Sequence, residues 1–292
     1  MKKGLLYGLA FLGGVFLFFM VLGFLLSLGL QFRGPSHREA IGVVEIKGLI
    51  TEADEKIKIL EDFRYRKDIK ALVVRIDSPG GTVGASQELY EELRRLSQVK
   101  PVVVSLGSVA TSGAYYAALG GTKILASPGT ITGSIGVLLQ IPNIEELLKK
   151  LGIKPVVLKS GKYKDLVSYY RTPSPKEKKI LEETLSEVHE QFMRAVAERR
   201  KIPLEKVKEL ADGRIFTGEK AKKLGLIDDL GNFMEAVELA ARLGELKGRP
   251  HLVYGSGKKG LLKKLIEGQF NLPLERLWFS PWYLWDGGAT LL

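Results

Sequence analysis

The chain has 292 residues, enough for one large or two small domains, with 44 Lys+Arg against 33 Asp+Glu and a formal net charge of +11. Charges of both signs are mixed through the helical stretches, so the excess reads as a solvated surface and nucleic acid is excluded as a partner. The absence of cysteine excludes disulfides, thiol catalysis and cysteine-ligated metal.

Gly4 to Gln31 carries no charged residue. At ~1.5 Å per residue that run is long enough to cross a hydrocarbon core of ~30 Å. Leu26-Ser27-Leu28-Gly29-Leu30-Gln31 offers no small-x-small cleavage site. Residues 1–31 therefore read as an uncleaved membrane anchor, with a transmembrane helix over 4–31, followed by a polar linker over 32–40. Lys2 and Lys3 favour a cytoplasmic N-terminus and an extracytoplasmic domain, although Arg33 and Arg38 nearly balance them.

From Ile41 the pattern alternates between strands and helices. Strands are expected at Ile41–Ile46, Ala71–Ile76, Val102–Leu106, Ile124–Ala126, Ser134–Leu139, Pro155–Leu158 and His251–Tyr254. Helices are expected at Thr51–Tyr65, Val83–Leu96, Gly113–Leu119 and Ile144–Leu151. A long helix to Arg200 starts at Ser174-Pro175-Lys176-Glu177, a capping-box pattern with Pro at the first helical position. Its apolar stripe is Leu181, Leu185, Val188, Phe192 and Val196, and a helix-rich part follows to Gly244. The continuously apolar Ala71–Ile76 run suits a buried parallel strand. Short β–α alternation predicts an α/β domain over 41–254. A tail, 255–292, is first basic (Lys258–Ile266) and then holds Trp278, Trp282 and Trp285. The basic part fits an anionic lipid surface or a plain surface helix equally well.

Ser112 stands between a buried strand and an apolar helical run. A serine there is ordinarily a helix cap; near the positive end of a helix dipole the location also favours an oxyanion. A Ser-His-Asp triad has little material: His37 is in the linker, His189 is on the long helix and His251 opens a late strand. Histidine metal clusters and a phosphate loop are missing from the sequence. What remains are Gly-rich turns after strands, where α/β sheets commonly build sites. They are Asp77-Ser78-Pro79-Gly80-Gly81, the Ser112 turn, Thr130–Gly136 and Ser160-Gly161-Lys162-Tyr163-Lys164-Asp165. A serine without histidine can be activated by a lysine that is neutral at working pH, which requires its pKa to fall from about 10.4 toward 7–8. Lys162 and Lys164 are the candidates; Asp165 would oppose that fall if its carboxylate met Lys164, so it is expected to point elsewhere.

Five motifs occur in order: Ser78-Pro79-Gly80-Gly81, Gly107–Tyr116, Thr132-Gly133-Ser134-Ile135-Gly136, Gly161-Lys162-Tyr163-Lys164 and Asp212–Gly218. On these the chain resembles the signal peptide peptidase A family, serine–lysine membrane peptidases with a Clp-protease/crotonase-like fold, in its short, single-repeat branch. The resemblance implies Ser112 as nucleophile, Lys164 as general base and Ser134 as the residue that orients the lysine. Gly113, Gly80 and Gly81 would supply the oxyanion-hole N–H groups. It implies no cofactor or metal, hydrophobic peptide substrates such as remnant signal peptides, a single-pass location in the cell membrane, and a homo-oligomer. That oligomer is an octamer in the short branch, with Ser and Lys of one site drawn from neighbouring subunits. Thr111 and Ala114 depart from the family's Ala and Gly, and Asp77 stands where Asn is frequent. Alternatives are a related protease that cuts a membrane partner's hydrophobic tail, as the stomatin-paired type does, a silent hydrophobic-peptide-binding scaffold, and acyl-CoA chemistry on the same fold.

Overall fold

The computed structural model describes residues 13–24 and 39–255, and the backbone of 282–284. It divides into two compact units between Arg38 and Glu39. In the first unit, the described residues 13–24 form helix α1, with exposed side chains. No helix among the described residues is long and apolar enough to cross a membrane. The rest of the expected 4–31 span, most of the linker with His37, the basic stretch and Trp278 and Trp285 lie outside the described residues.

The second unit is a three-layer α/β arrangement. Its sheet runs β7 (Ile215–Thr217), β6 (Ile131–Gly133), β4 (Val102–Thr111), β2 (Ile69–Ser78), β1 (Ala40–Lys47), β9 (His251–Tyr254). Beside β4 lie β5 (Lys123–Ala126) and β8 (Asp229–Leu230). All pairs are parallel except β6 with β7. The apolar runs explain the centre, because β2 and the first half of β4 have both faces covered. On one face Ile41, Ala71, Val73, Val103 and Leu125 pack against Ala236, Val237 and Ala240 of α9 (Phe233–Leu243). On the other, Leu72, Val74, Ile76 and Leu106 meet α2 (Asp54–Tyr65), α3 (Val83–Ser97), α4 (Gly113–Ala118) and the C-terminal half of α6 (Pro175–Arg200). Tyr115 and Tyr116 of α4 stack on Phe192 of α6, with ring centroids 6.5 and 4.9 Å apart.

Helix α6 begins with the expected capping box, Ser174 with Glu177. Its stripe is only partly covered: Phe192 and Val196 are buried, while Leu181, Leu185 and Val188 are half-exposed. The short α5 (Glu145–Lys150), α7 (Leu204–Leu210) and α8 (Gly218–Lys223) are the other helices among the described residues of this unit.

Two expected strands are corrected. Residues 153–159 form no strand, and Val156 and Leu158 are 84% and 93% exposed, with no sheet edge against them among the described residues. The strand expected at Ser134–Leu139 is instead β6, three residues earlier, because the positive φ of Gly133 (85°) and Ser134 (51°) ends the extended backbone there. Two expected turns are also partly strand. β4 continues through Gly107-Ser108 to Thr111, exchanging β5 for β6 as its neighbour. Gly80–Thr82 form β3, held by Ile50.

Candidate active site

The change of partner along β4 builds the site. Ile76 pairs with Leu106 but Ser78 pairs with Ala110, so β4 bulges around Gly107 and Ser108. Asp77 fills the bulge. Its Oδ1 accepts the Val109 N–H at 3.1 Å, and a Cβ on Gly107 would lie 2.6 Å from its Cγ. Thr130 Oγ1 donates to the Gly107 carbonyl at 2.7 Å. These contacts give Asp77 a structural part that its sequence context did not disclose: it shapes the bend that carries β4 to Ser112.

Ser112 follows that bend and is fully buried. Its N–H donates to the Gly133 carbonyl at 2.8 Å, and its own carbonyl accepts the Tyr116 N–H at 2.8 Å. Between those anchors it holds φ 55° and ψ −121°. For a side-chain-bearing residue that conformation costs about 1–3 kcal/mol and persists only when its surroundings enforce it. Strain of this kind at a strand-to-helix turn also marks nucleophile elbows, although here the hydroxyl is buried. The capping alternative does not hold: Ser112 occupies the N-cap position of α4 yet makes no side-chain cap bond. Its Oγ is buried with no hydrogen-bond partner among the described residues, whereas buried hydroxyls are almost always bonded.

The other sequence candidates divide into two groups. Ser134 lies beside Ser112 through the Gly133 carbonyl; it is 5% exposed, and its N–H donates to the Arg214 carbonyl at 2.8 Å. That contact brings in the Asp212–Gly218 motif, whose Ile215 and Phe216 pair with Gly133 and Thr132. Gly113 opens α4, where the first N–H groups have no intrahelical partner. Gly80 has φ 108°, and its N–H donates to Ser78 Oγ at 3.1 Å. Gly81 meets Ile50 so closely that a Cβ would lie 1.9 Å from the Ile50 carbonyl oxygen. The Gly80 carbonyl and the Thr82 N–H both bond Ile50. By strand alternation the N–H and carbonyl of Gly81 therefore face the opposite edge. There β10 (Trp282–Leu284) runs antiparallel to β3, with Tyr283 opposite Gly81. A segment of the C-terminal tail thus occupies the edge of this strand.

Lys164 stands apart. It is exposed, in a stretch without helix or strand, and the unbonded Ser112 Oγ receives nothing from it within the chain. Lys162 is also exposed, its ammonium 5.6 Å from the centre of the Tyr163 ring. Asp165 turns to Lys159 Nζ (2.5 Å) and Arg171 Nε (3.1 Å), and these two cations, Arg171 foremost, hold its carboxyl down at about 2. His189 and His251 make no bond to Ser112; His189 Nε2 is itself buried and unbonded.

The candidate site is thus a strained, buried serine that follows a parallel strand, near a strand of two glycines. Peptidase family S49 matches residues 94–247. A Synechocystis protein named as a protease, slr0021, is 46% identical over 81% of this chain and 86% of its own. The Enterococcus faecium protein named as signal peptide peptidase SppA is 37% identical over 62% of this chain and 52% of its own. Protease 4 of Salmonella typhi is 35% identical over 71% of this chain and 34% of its own. A solved structure, the membrane-bound stomatin-specific protease 1510-N, is similar with a TM-score of 0.48 and 18% identity over 75% of this chain and 98% of that one. The chain belongs to peptidase family S49, the signal peptide peptidase A family, and is a serine protease.

Proposed function

We propose that the chain is a membrane-anchored endopeptidase that degrades remnant signal peptides and other hydrophobic peptides through a Ser112–Lys164 dyad. The observation that carries this reading is the buried, unbonded Oγ of a strained Ser112. Neutral Lys164 takes the Ser112 proton as Oγ attacks the scissile carbonyl. The Gly113 N–H receives the oxyanion, joined by the Gly80–Gly81 strand when substrate replaces β10 and Ser78 as its partners; one such donor is typically worth ~10²–10³ in rate. The lysine ammonium then protonates the departing amine, leaving an acyl-enzyme. Water, deprotonated by Lys164, attacks the ester and releases Ser112. Ser134 orients the lysine.

In this reading Lys164 reaches Ser112 from a neighbouring subunit of a homo-oligomer, an octamer by family resemblance. Three features support that: Ser112 Oγ has no partner among the described residues, Lys164 is exposed, and the exposed Val156 and Leu158 precede it on the same segment. The 4–31 run anchors the enzyme in the cell membrane as a single pass, with the catalytic unit extracytoplasmic and apolar peptides supplied by the bilayer. Neither cofactor nor nucleic acid takes part. The test is hydrolysis of hydrophobic peptides at alkaline pH by the detergent-solubilised chain. Ser112→Ala and Lys164→Ala should each abolish it while the protein stays folded; full activity in either variant removes the dyad.

A further inference from the structure

The segment 151–173 has no helix or strand to hold it, yet a base must be placed to within a fraction of an ångström. One side chain is bonded on both sides of this problem. Arg171 Nε and Nη2 donate to Asp165, to Oδ2 at 3.1 Å and to the main-chain carbonyl at 3.2 Å. Its Nη1 and Nη2 also grip Glu177 as a fork, at 2.8 and 2.7 Å. Glu177 is fixed in turn, accepting the Ser174 N–H and hydroxyl, each at 2.8 Å, in the capping box of α6.

We infer that Arg171 is a positioning residue for Lys164: it ties residue 165 to the start of α6 and keeps the Asp165 carboxylate turned away from the neighbouring amine. The inference rests on the reading of Lys164 as the base. The charged surroundings are compatible with it. Lys159 precedes the loop and bonds the other Asp165 oxygen. Glu145 of α5 accepts the Thr172 N–H at 3.2 Å and is itself paired with Lys149. Lys162 lies by the Tyr163 ring. No carboxylate pairs with Lys164 among the described residues. Arg171, followed by Ser174, also holds the Glu177 carboxyl far below the ordinary carboxylate range. Both carboxylates are therefore ionised wherever a lysine base works, and the clamp is closed there. Losing Arg171 removes a cation and frees a carboxylate one residue from Lys164; both changes favour the protonated amine.

The test is the pH profile of kcat/KM for the full chain. Arg171→Gln should move the acidic limb to higher pH by about one unit, the scale of a newly available opposite charge. In Arg171→Gln/Asp165→Asn the limb should return toward the parent value while kcat stays reduced, because the tether is still missing. Arg171→Lys keeps the charge without the fork, so it should lower kcat and leave the limb in place. If Arg171→Gln does not fold, the double variant and Arg171→Lys still decide. Reduced kcat with the same acidic limb in every variant would overturn the charge-sequestering role, and unchanged kinetics would overturn the positioning role. Failure of the dyad reads differently, as full activity in Lys164→Ala.

Discussion

Ser112 ends a strand whose backbone is bonded on both sides, is fully buried, and is forced into a strained conformation by its anchors. Lys164 sits on a segment with no regular structure, exposed, and held by ion pairs instead of packing. On the proposed reading, the nucleophile is a product of the chain's own core and the base is presented outward. A catalytic pair split in the proposed way would leave the isolated chain inactive and make activity a property of the assembly, as expected when a partner copy completes a site. The contrast also assigns a cost to each half: damage to the first should lower stability as well as activity, and damage to the second should lower activity alone.

The largest effect is expected in the nucleophile half. Gly81→Ala would drive a Cβ to 1.9 Å from the Ile50 carbonyl oxygen. Activity should fall to background, and a crystal structure or amide exchange should find β3 displaced. Phe192→Ala removes a fully buried ring from beneath Tyr115 and Tyr116; it should cost about 3–5 kcal/mol in chemical denaturation. Tyr115→Phe leaves the Leu226 carbonyl without its 2.7 Å donor and should cost about 1–3 kcal/mol, the usual penalty for an orphaned buried acceptor. On the base side, Val156→Ser with Leu158→Ser should barely change the melting temperature, since both side chains are exposed. It should instead shift the oligomer toward smaller species in sedimentation and reduce activity in parallel. A large loss of monomer stability from that pair would erase the contrast.

How much of this could be read from sequence follows the same division. The buried strands β1, β2, β5 and the first half of β4 announced themselves as apolar runs, and the capping box at Ser174 located the start of α6. The second half of β4 did not, because Gly107-Ser108 looks like turn punctuation and becomes a bulge only against Asp77. The Pro155–Leu158 run was misread as a strand because apolar composition alone does not supply a sheet edge, and Val156 and Leu158 stay exposed. The partners of Asp77 and Arg171 were invisible. The first acts across 32 residues, and the second through side-chain geometry that no spacing encodes. The Ser112 motif was legible, but that its side chain makes no cap bond and its backbone is strained could be seen only in the structure.

The most direct test of the central claim is subunit complementation. Ser112→Ala and Lys164→Ala chains, each inactive alone, are mixed one to one in detergent, dissociated and reassembled. If serine and lysine of a site come from different subunits, random mixing restores about a quarter of the sites, and peptide hydrolysis returns to about that fraction of the parent activity. If both come from one chain, every site in the mixture lacks one group, and activity stays at background.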